Sequence, residues 1–116
     1  MSTYQNLPIL TFKSEKDLRN WLMENHTTSQ GIWLRIYKKH SGVETVAFEE
    51  VLDQGLCFGW SESTRSKYDE KSYLQRFSPR RAKGTTSKRN LQRAEHLIKT
   101  KQMMPTGLNA LGIETE

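Results

Sequence analysis

The sequence predicts a small α+β domain, an antiparallel or mixed sheet packed by helices in the order β-α-β-α-β-β-α-α. Three observations predict it. Ile32, Leu34 and Ile36 alternate with Trp33, Arg35 and Tyr37, which is the period of a strand. Leu18, Trp21 and Leu22, and later Phe48, Val51, Leu52 and Leu56, recur at helical spacing. With 116 residues there is room for one hydrophobic core, so residues 1–116 are read as a single domain.

Pro8-Ile9-Leu10-Thr11-Phe12 is short, apolar and partly β-branched, a first strand with Pro8 at its edge. Ser14 opens the first helix. Its hydroxyl accepts from a free N–H of the first turn, and Glu15 and Asp17 place negative charge at the positive helix end. The helix fades in Asn25-His26-Thr27-Thr28-Ser29, a polar cluster with loop chemistry. Residues 31–39 are the clearest strand, and its second face needs cover because Trp33 and Tyr37 are large. His40-Ser41-Gly42 turns the chain. On the second helix Glu49, Glu50 and Asp53 lie outside the apolar stripe, while Gly55 inside it costs about 1 kcal/mol against alanine. A close approach by another backbone would account for that glycine.

Gly59 is a helix stop. Residues 60–65 and 72–78 read as a hairpin around a polar loop at 66–71, ended by Pro79, which has no N–H to donate. Residues 80–86 form a basic loop. Ser87 caps a last main helix with Leu91, Ala94, Leu97 and Ile98 as its apolar stripe and Lys88, Arg89, Gln92, Arg93 and Lys99 opposite. Pro105 opens a short terminal turn.

Composition narrows the function. No apolar run approaches the length of a membrane span, and Met1-Ser2-Thr3-Tyr4-Gln5-Asn6 lacks the basic and apolar segments of a secretory signal. A cytoplasmic protein without membrane insertion is the expectation. Cys57 is the single cysteine, so an internal disulfide and a Cys-rich zinc site are both excluded. The net charge of +5 is unevenly spread: residues 61–102 hold twelve Lys/Arg against four Asp/Glu. Residues 76–93 hold seven basic side chains and no acid. Such asymmetry suits an anionic partner, whether a small molecule, an acidic protein surface or a nucleic acid. A solvated basic face has the same pattern.

Cys57 lies between Leu56 and Phe58 near the end of a buried stripe, where core packing reads better than nucleophilic catalysis. His26, His40 and His96 have no metal-ligand spacing, and no Walker loop, dinucleotide glycine pattern or GxSxG elbow is present. No metal and no cofactor is expected. Arg76, Arg80 and Arg81 surround Pro79, and guanidinium forks suit phosphate and carboxylate. Trp60, Tyr68, Tyr73 and Phe77 stand close in sequence and offer either stacking surfaces for bases or core.

The ordered set Trp21-Leu22, Gly31-Ile32-Trp33-Leu34 with Lys38-Lys39, Leu56-Cys57-Phe58-Gly59-Trp60, Tyr73-Leu74-Gln75-Arg76-Phe77-Ser78-Pro79-Arg80-Arg81, Ser87 with Asn90, and Met104-Pro105-Thr106-Gly107-Leu108 spans nearly the whole chain. It resembles the YdeI/OmpD-associated family, small bacterial proteins labelled as bacteriocin-protection proteins. Two departures stand out: Gly59-Trp60-Ser61-Glu62 where that family usually reads Gly-Trp-Ile-Asp, and Gly84-Thr85-Thr86-Ser87 where it usually reads Ser-x-Trp-Ser. The resemblance implies a link to resistance against bacteriocins or antimicrobial peptides and supplies no catalytic residues. A more distant fold analogy to frataxin-like iron chaperones sits poorly with a basic chain, and fold analogy does not transfer function.

The resulting expectation is a binding protein rather than an enzyme, with a ligand surface of Lys38, Trp60, Glu62, Arg76, Arg80 and Arg81. Lys38 and the arginines bind the anion, Trp60 supplies an apolar wall, and Glu62 orients a cation or an arginine. A structural Glu62–Arg76 salt bridge on the hairpin competes with that role. The alternatives are a nucleic-acid module using residues 76–93, a small enzyme with a pocket around Cys57 and Glu62, and a metal chaperone.

Overall fold

The computed structural model describes residues 3–80 and 88–112. Their elements are β1 (Thr3–Tyr4), β2 (Leu7–Leu10), α1 (Glu15–Asn25), β3 (Ile32–Tyr37), α2 (Phe48–Phe58), β4 (Trp60–Lys67), β5 (Ser72–Pro79), α3 (Lys88–Lys99) and α4 (Pro105–Ala110). The strands form one sheet in the order β1-β2-β3-β5-β4. β2 and β3 are parallel, joined through α1, and the other neighbours are antiparallel. The class is α+β with a mixed sheet, as the sequence predicts. It has one strand more, because residues 3–4 fold back on β2 through Gln5 and Asn6, both at positive φ. Two such residues in succession match the twist of an antiparallel pair. The predicted strand at 8–12 is instead Leu7–Leu10, and Pro8 stands opposite Thr3 in the hairpin.

Local chemistry sets the helix ends. The Asp17 N–H donates to Ser14 Oγ at 3.2 Å, as the capping argument requires. At α2 the cap residue is Ala47, which has no side-chain acceptor, and Glu50 reaches back so that its Oε1 accepts from the Ala47 N–H at 2.8 Å. Gly59 ends α2 at φ 76°. A Cβ on Gly55 would lie 2.8 Å from the Trp60 carbonyl oxygen and 3.0 Å from the Phe77 ring, which is the close approach that keeps a glycine inside this helix.

The helices cover one sheet face. Ile32, Leu34 and Ile36 of β3, Trp60 of β4 and Phe77 of β5 meet Leu18 and Leu22 of α1 and Val51, Leu56, Cys57 and Phe58 of α2 in a single core. The second face is also covered. Tyr4 meets the Trp33 ring edge-on, with centroids 5.0 Å apart, and Ser66 Oγ on β4 lies 3.4 Å from the Tyr4 hydroxyl. The β1 hairpin therefore curls over the sheet, and Trp33 and Leu74 are buried on that side. Arg35, beyond it, sits between the Tyr37 and Tyr68 rings at 4.6 and 4.9 Å and pairs with Asp69 at 2.8 Å.

α3 departs from expectation. Ala94 and Leu97 are buried, but Leu91 and Ile98 are 42% and 41% exposed. Arg93, assigned to the solvent side with Asp53, is half-buried, and its Nη1 lies 2.6 Å from Asp53 Oδ1 on α2. The helix packs chiefly on α2, so its buried stripe is narrow. Ser87, the predicted cap, lies outside the described residues. No described helix is long and apolar enough to cross a membrane.

Candidate functional site

The five described residues of the six selected from sequence, Lys38, Trp60, Glu62, Arg76 and Arg80, do not form one surface. Lys38 follows β3 at the end where its N–H bonds to Lys71, and it lines a cleft with Tyr37, Val43, Phe48 and Tyr73. Arg76 pairs with Trp33, five residues back along β3, so at about 3.4 Å per residue Lys38 is roughly 17 Å away. Trp60 is 1% exposed and belongs to the core. Its ring lies 5.8 Å from Trp21 and 5.1 Å from Phe77, and its Nε1 donates to the His26 carbonyl at 3.2 Å. An open apolar wall is therefore not its role.

Glu62 and Arg76 do not form the predicted salt bridge. Glu62 stands opposite Phe77 and Arg76 opposite Trp33, so the two side chains leave opposite faces of the sheet. The ion pairs among the described residues are Arg35–Asp69 and Arg93–Asp53. Arg76 and Arg80 are brought together, and Arg81 lies outside the described residues.

Around Pro79 three clefts share walls. One, of about 490 Å³, is bounded by Leu7, the Thr27–Thr28–Ser29–Gln30 loop, Ser78, Arg76 and Arg80. A second, of about 380 Å³, lies across Arg76 and Ser78 and is closed by Ser61, Ser63 and Thr64 of β4. A third, of about 320 Å³, lies on the other side of Arg80, against His26, Phe58, Trp60 and α4. Together they present two guanidinium groups and many hydroxyls. Among the described residues, no carboxylate lines any of the three.

Local structure explains how the hydroxyls arrive. Gly31, at φ 135°, brings the residue 27–30 loop against β5: a Cβ there would lie 2.9 Å from Ser78 Cβ. The Gly31 N–H donates to Ser29 Oγ at 3.1 Å and holds that turn. On the other strand the β4–β5 register shifts between Glu62 and Arg65. Buried Gln75 fills the irregularity by donating to the Thr64 carbonyl at 3.2 Å. Bulges of this kind re-aim side chains beside functional surfaces. From the sequence, 25–29 carries loop chemistry and 60–65 the pattern of a plain strand. A bulge leaves no mark in a Ser/Thr-rich strand, but Gly31 after a hydroxyl cluster was a usable signal.

Neither Cys57 nor Glu62 lines any of the three clefts around Pro79. Cys57 is fully buried, and burial pushes its thiol up to about 11, against the opposing effect of Arg19 beside it. Arg19 is held by Gln54 Oε1 at 3.0 Å and by the Gln102 carbonyl at 2.8 Å, and Gln54 in turn donates to Glu15 at 2.9 Å. This polar ring ties α1, α2 and the chain after α3 around a packing cysteine. Maleimide labelling of the folded protein should accordingly be at least tenfold slower than after denaturation, because the thiolate is scarce and shielded. Equal rates in both states would return Cys57 to the list of reactive groups. Among the described residues no three His, Cys, Asp or Glu side chains converge as a metal-holding group.

Residues 10–110 match the family described as a domain of unknown function (DUF8412). No curated protein and no solved structure matches the chain.

Proposed function

This chain belongs to the DUF8412 family, and we propose that it is a non-enzymatic binding protein that holds a small anionic ligand in the clefts around Pro79. The carrying observation is the pairing of Arg76 and Arg80 across hydroxyl-rich linings in which, among the described residues, there is no carboxylate. A guanidinium offers a planar fork to phosphate or carboxylate, and neighbouring serines and threonines supply further donors. The resemblance to the YdeI/OmpD-associated family extends the proposal to a cytoplasmic role in protection against bacteriocins.

A small anion is favoured over nucleic acid because single strands need exposed rings to stack on. Trp60 and Phe77 are buried, and the exposed ring of Tyr68 is stacked on Arg35. Arg76→Gln keeps most of the aliphatic stem and removes the charge. It should weaken inorganic phosphate binding roughly tenfold to hundredfold, the worth of one charge-assisted hydrogen bond. Stability should change by no more than about 0.5 kcal/mol. Amide NMR titration reads the first and urea unfolding the second. Unaltered phosphate affinity in the variant would remove Arg76 from the site.

A further inference from the structure

The clefts on either side of Arg80 differ in chemistry. The one bounded by Arg76 and the Thr27–Ser29 hydroxyls is the more polar, and it is suited to a compact anion. The other is lined by half-buried Pro79 and Ala110 beside the buried Phe58 and Trp60, and is rimmed by His26, Thr27, Thr106 and Asn109. They share Thr27, Pro79 and Arg80 as lining residues, so the two clefts adjoin.

The rim of the second cleft carries specific hydrogen-bonding groups. His26 Nδ1 lies 2.7 Å from the Leu22 carbonyl oxygen, and a carbonyl accepts but cannot donate. The proton is therefore on Nδ1, and in the neutral ring Nε2 is left as an acceptor. The ring itself is fixed edge-on to Phe58, with centroids 4.9 Å apart. Asn109, exposed on α4, brings an amide that both donates and accepts. Thr106 and Thr27 add hydroxyls. An alkyl chain in this cleft would leave those groups to water or without partners. A flat heterocycle with donors and acceptors on its edge would use them.

We infer that the site is bipartite and takes a phosphorylated ring compound of the mononucleotide class. The phosphate lies between Arg76 and the Thr27–Ser29 hydroxyls, and the ring lies against Pro79 and Ala110 with its edge toward Asn109 and His26. This assignment rests on the anion-binding reading above and adds the ligand class to it. Sites of this kind combine apolar lining with a few convergent polar groups.

The test is calorimetric and NMR titration of the full chain with inorganic phosphate, ribose 5-phosphate, octyl phosphate, the four 5′-ribonucleoside monophosphates and adenosine. The best mononucleotide should bind at least about tenfold tighter than ribose 5-phosphate, a step of one well-made polar pair plus ring burial. Amide shifts should fall on both Thr27–Gln30 and Thr106–Ala110. Asn109→Ala should remove most of that advantage while leaving the ribose 5-phosphate affinity unchanged. Arg76→Gln should weaken both ligands alike.

If the mononucleotides bind no tighter than ribose 5-phosphate, the ring compartment is overturned and the anion site stands. An equal gain for octyl phosphate overturns the ring class in favour of an apolar tail. If no phosphorylated compound binds, the inference and the anion-binding reading fall together. Shifts centred on Phe48 and Tyr73 would move the site to the Lys38 cleft and overturn this placement.

Discussion

Trp60→Ala should destabilise the protein by about 3–5 kcal/mol, the range for truncating a fully buried large aromatic. Trp60 is 1% exposed and sits where the sheet, α1 and α2 meet, between the Trp21 and Phe77 rings. Removing it opens a cavity that the neighbouring rings cannot fill, because each is held by its own packing. It also takes away the donor to the His26 carbonyl, leaving a half-buried acceptor to find water. Urea unfolding should show a fall in midpoint with an unchanged slope, and Trp60→Phe should recover more than half of the loss. The contrasting result is informative. A stability change below about 1 kcal/mol with loss of phosphate binding would restore Trp60 to the ligand wall that sequence reading assigned to it.

How much of this was legible depends on the range of the signal. Ser14 as a cap, Gly59 as a stop, and the alternation of Ile32, Leu34 and Ile36 are local, and each is found as read. Even the close approach at Gly55 followed from one glycine in an apolar stripe. The site was legible only in part, because a segment rich in arginine does not say which face each arginine takes. Parity along β5 separates Arg76 from Glu62, and the distance along β3 separates it from Lys38. Both facts need the register, which depends on pairing partners far away in sequence. The α3 stripe failed for a related reason. Periodicity gives the phase of an apolar face, but the width buried depends on what packs against it, and α2 covers only the Ala94–Leu97 side. The Thr27–Gln30 wall was missed because hydroxyls in a loop look alike whether they face a cleft or water.

Gly107→Ala should destabilise the protein by about 3 kcal/mol, the upper end of the range for overpacking, and should selectively damage the ring side of the cleft. A Cβ at this position would fall on the carbonyl oxygens of Leu56 and Cys57 at the end of α2. Those are backbone atoms of a packed helix, so they cannot swing aside as a flexible side chain would. The clash must push α4 outward. That movement breaks the bond from the Met104 N–H to the Cys57 carbonyl, 2.9 Å long, which satisfies an acceptor that the helix end leaves open. It also shifts Thr106 and Asn109, the wall facing His26. The phosphate side is held by β5 and the residue 27–30 loop, so it should keep its affinity for ribose 5-phosphate while the mononucleotide advantage disappears. Hydrogen exchange at Met104 should rise well above the change expected from global stability alone. Gly42→Ala provides the control: its φ of 75° strains an alanine, but nothing lies within 4 Å of the added carbon. Its cost should stay near 1–2 kcal/mol, with both ligands bound as before. If the two glycine variants prove equally mild, α4 is not locked against α2, and the wall that selects a ring has no rigid support.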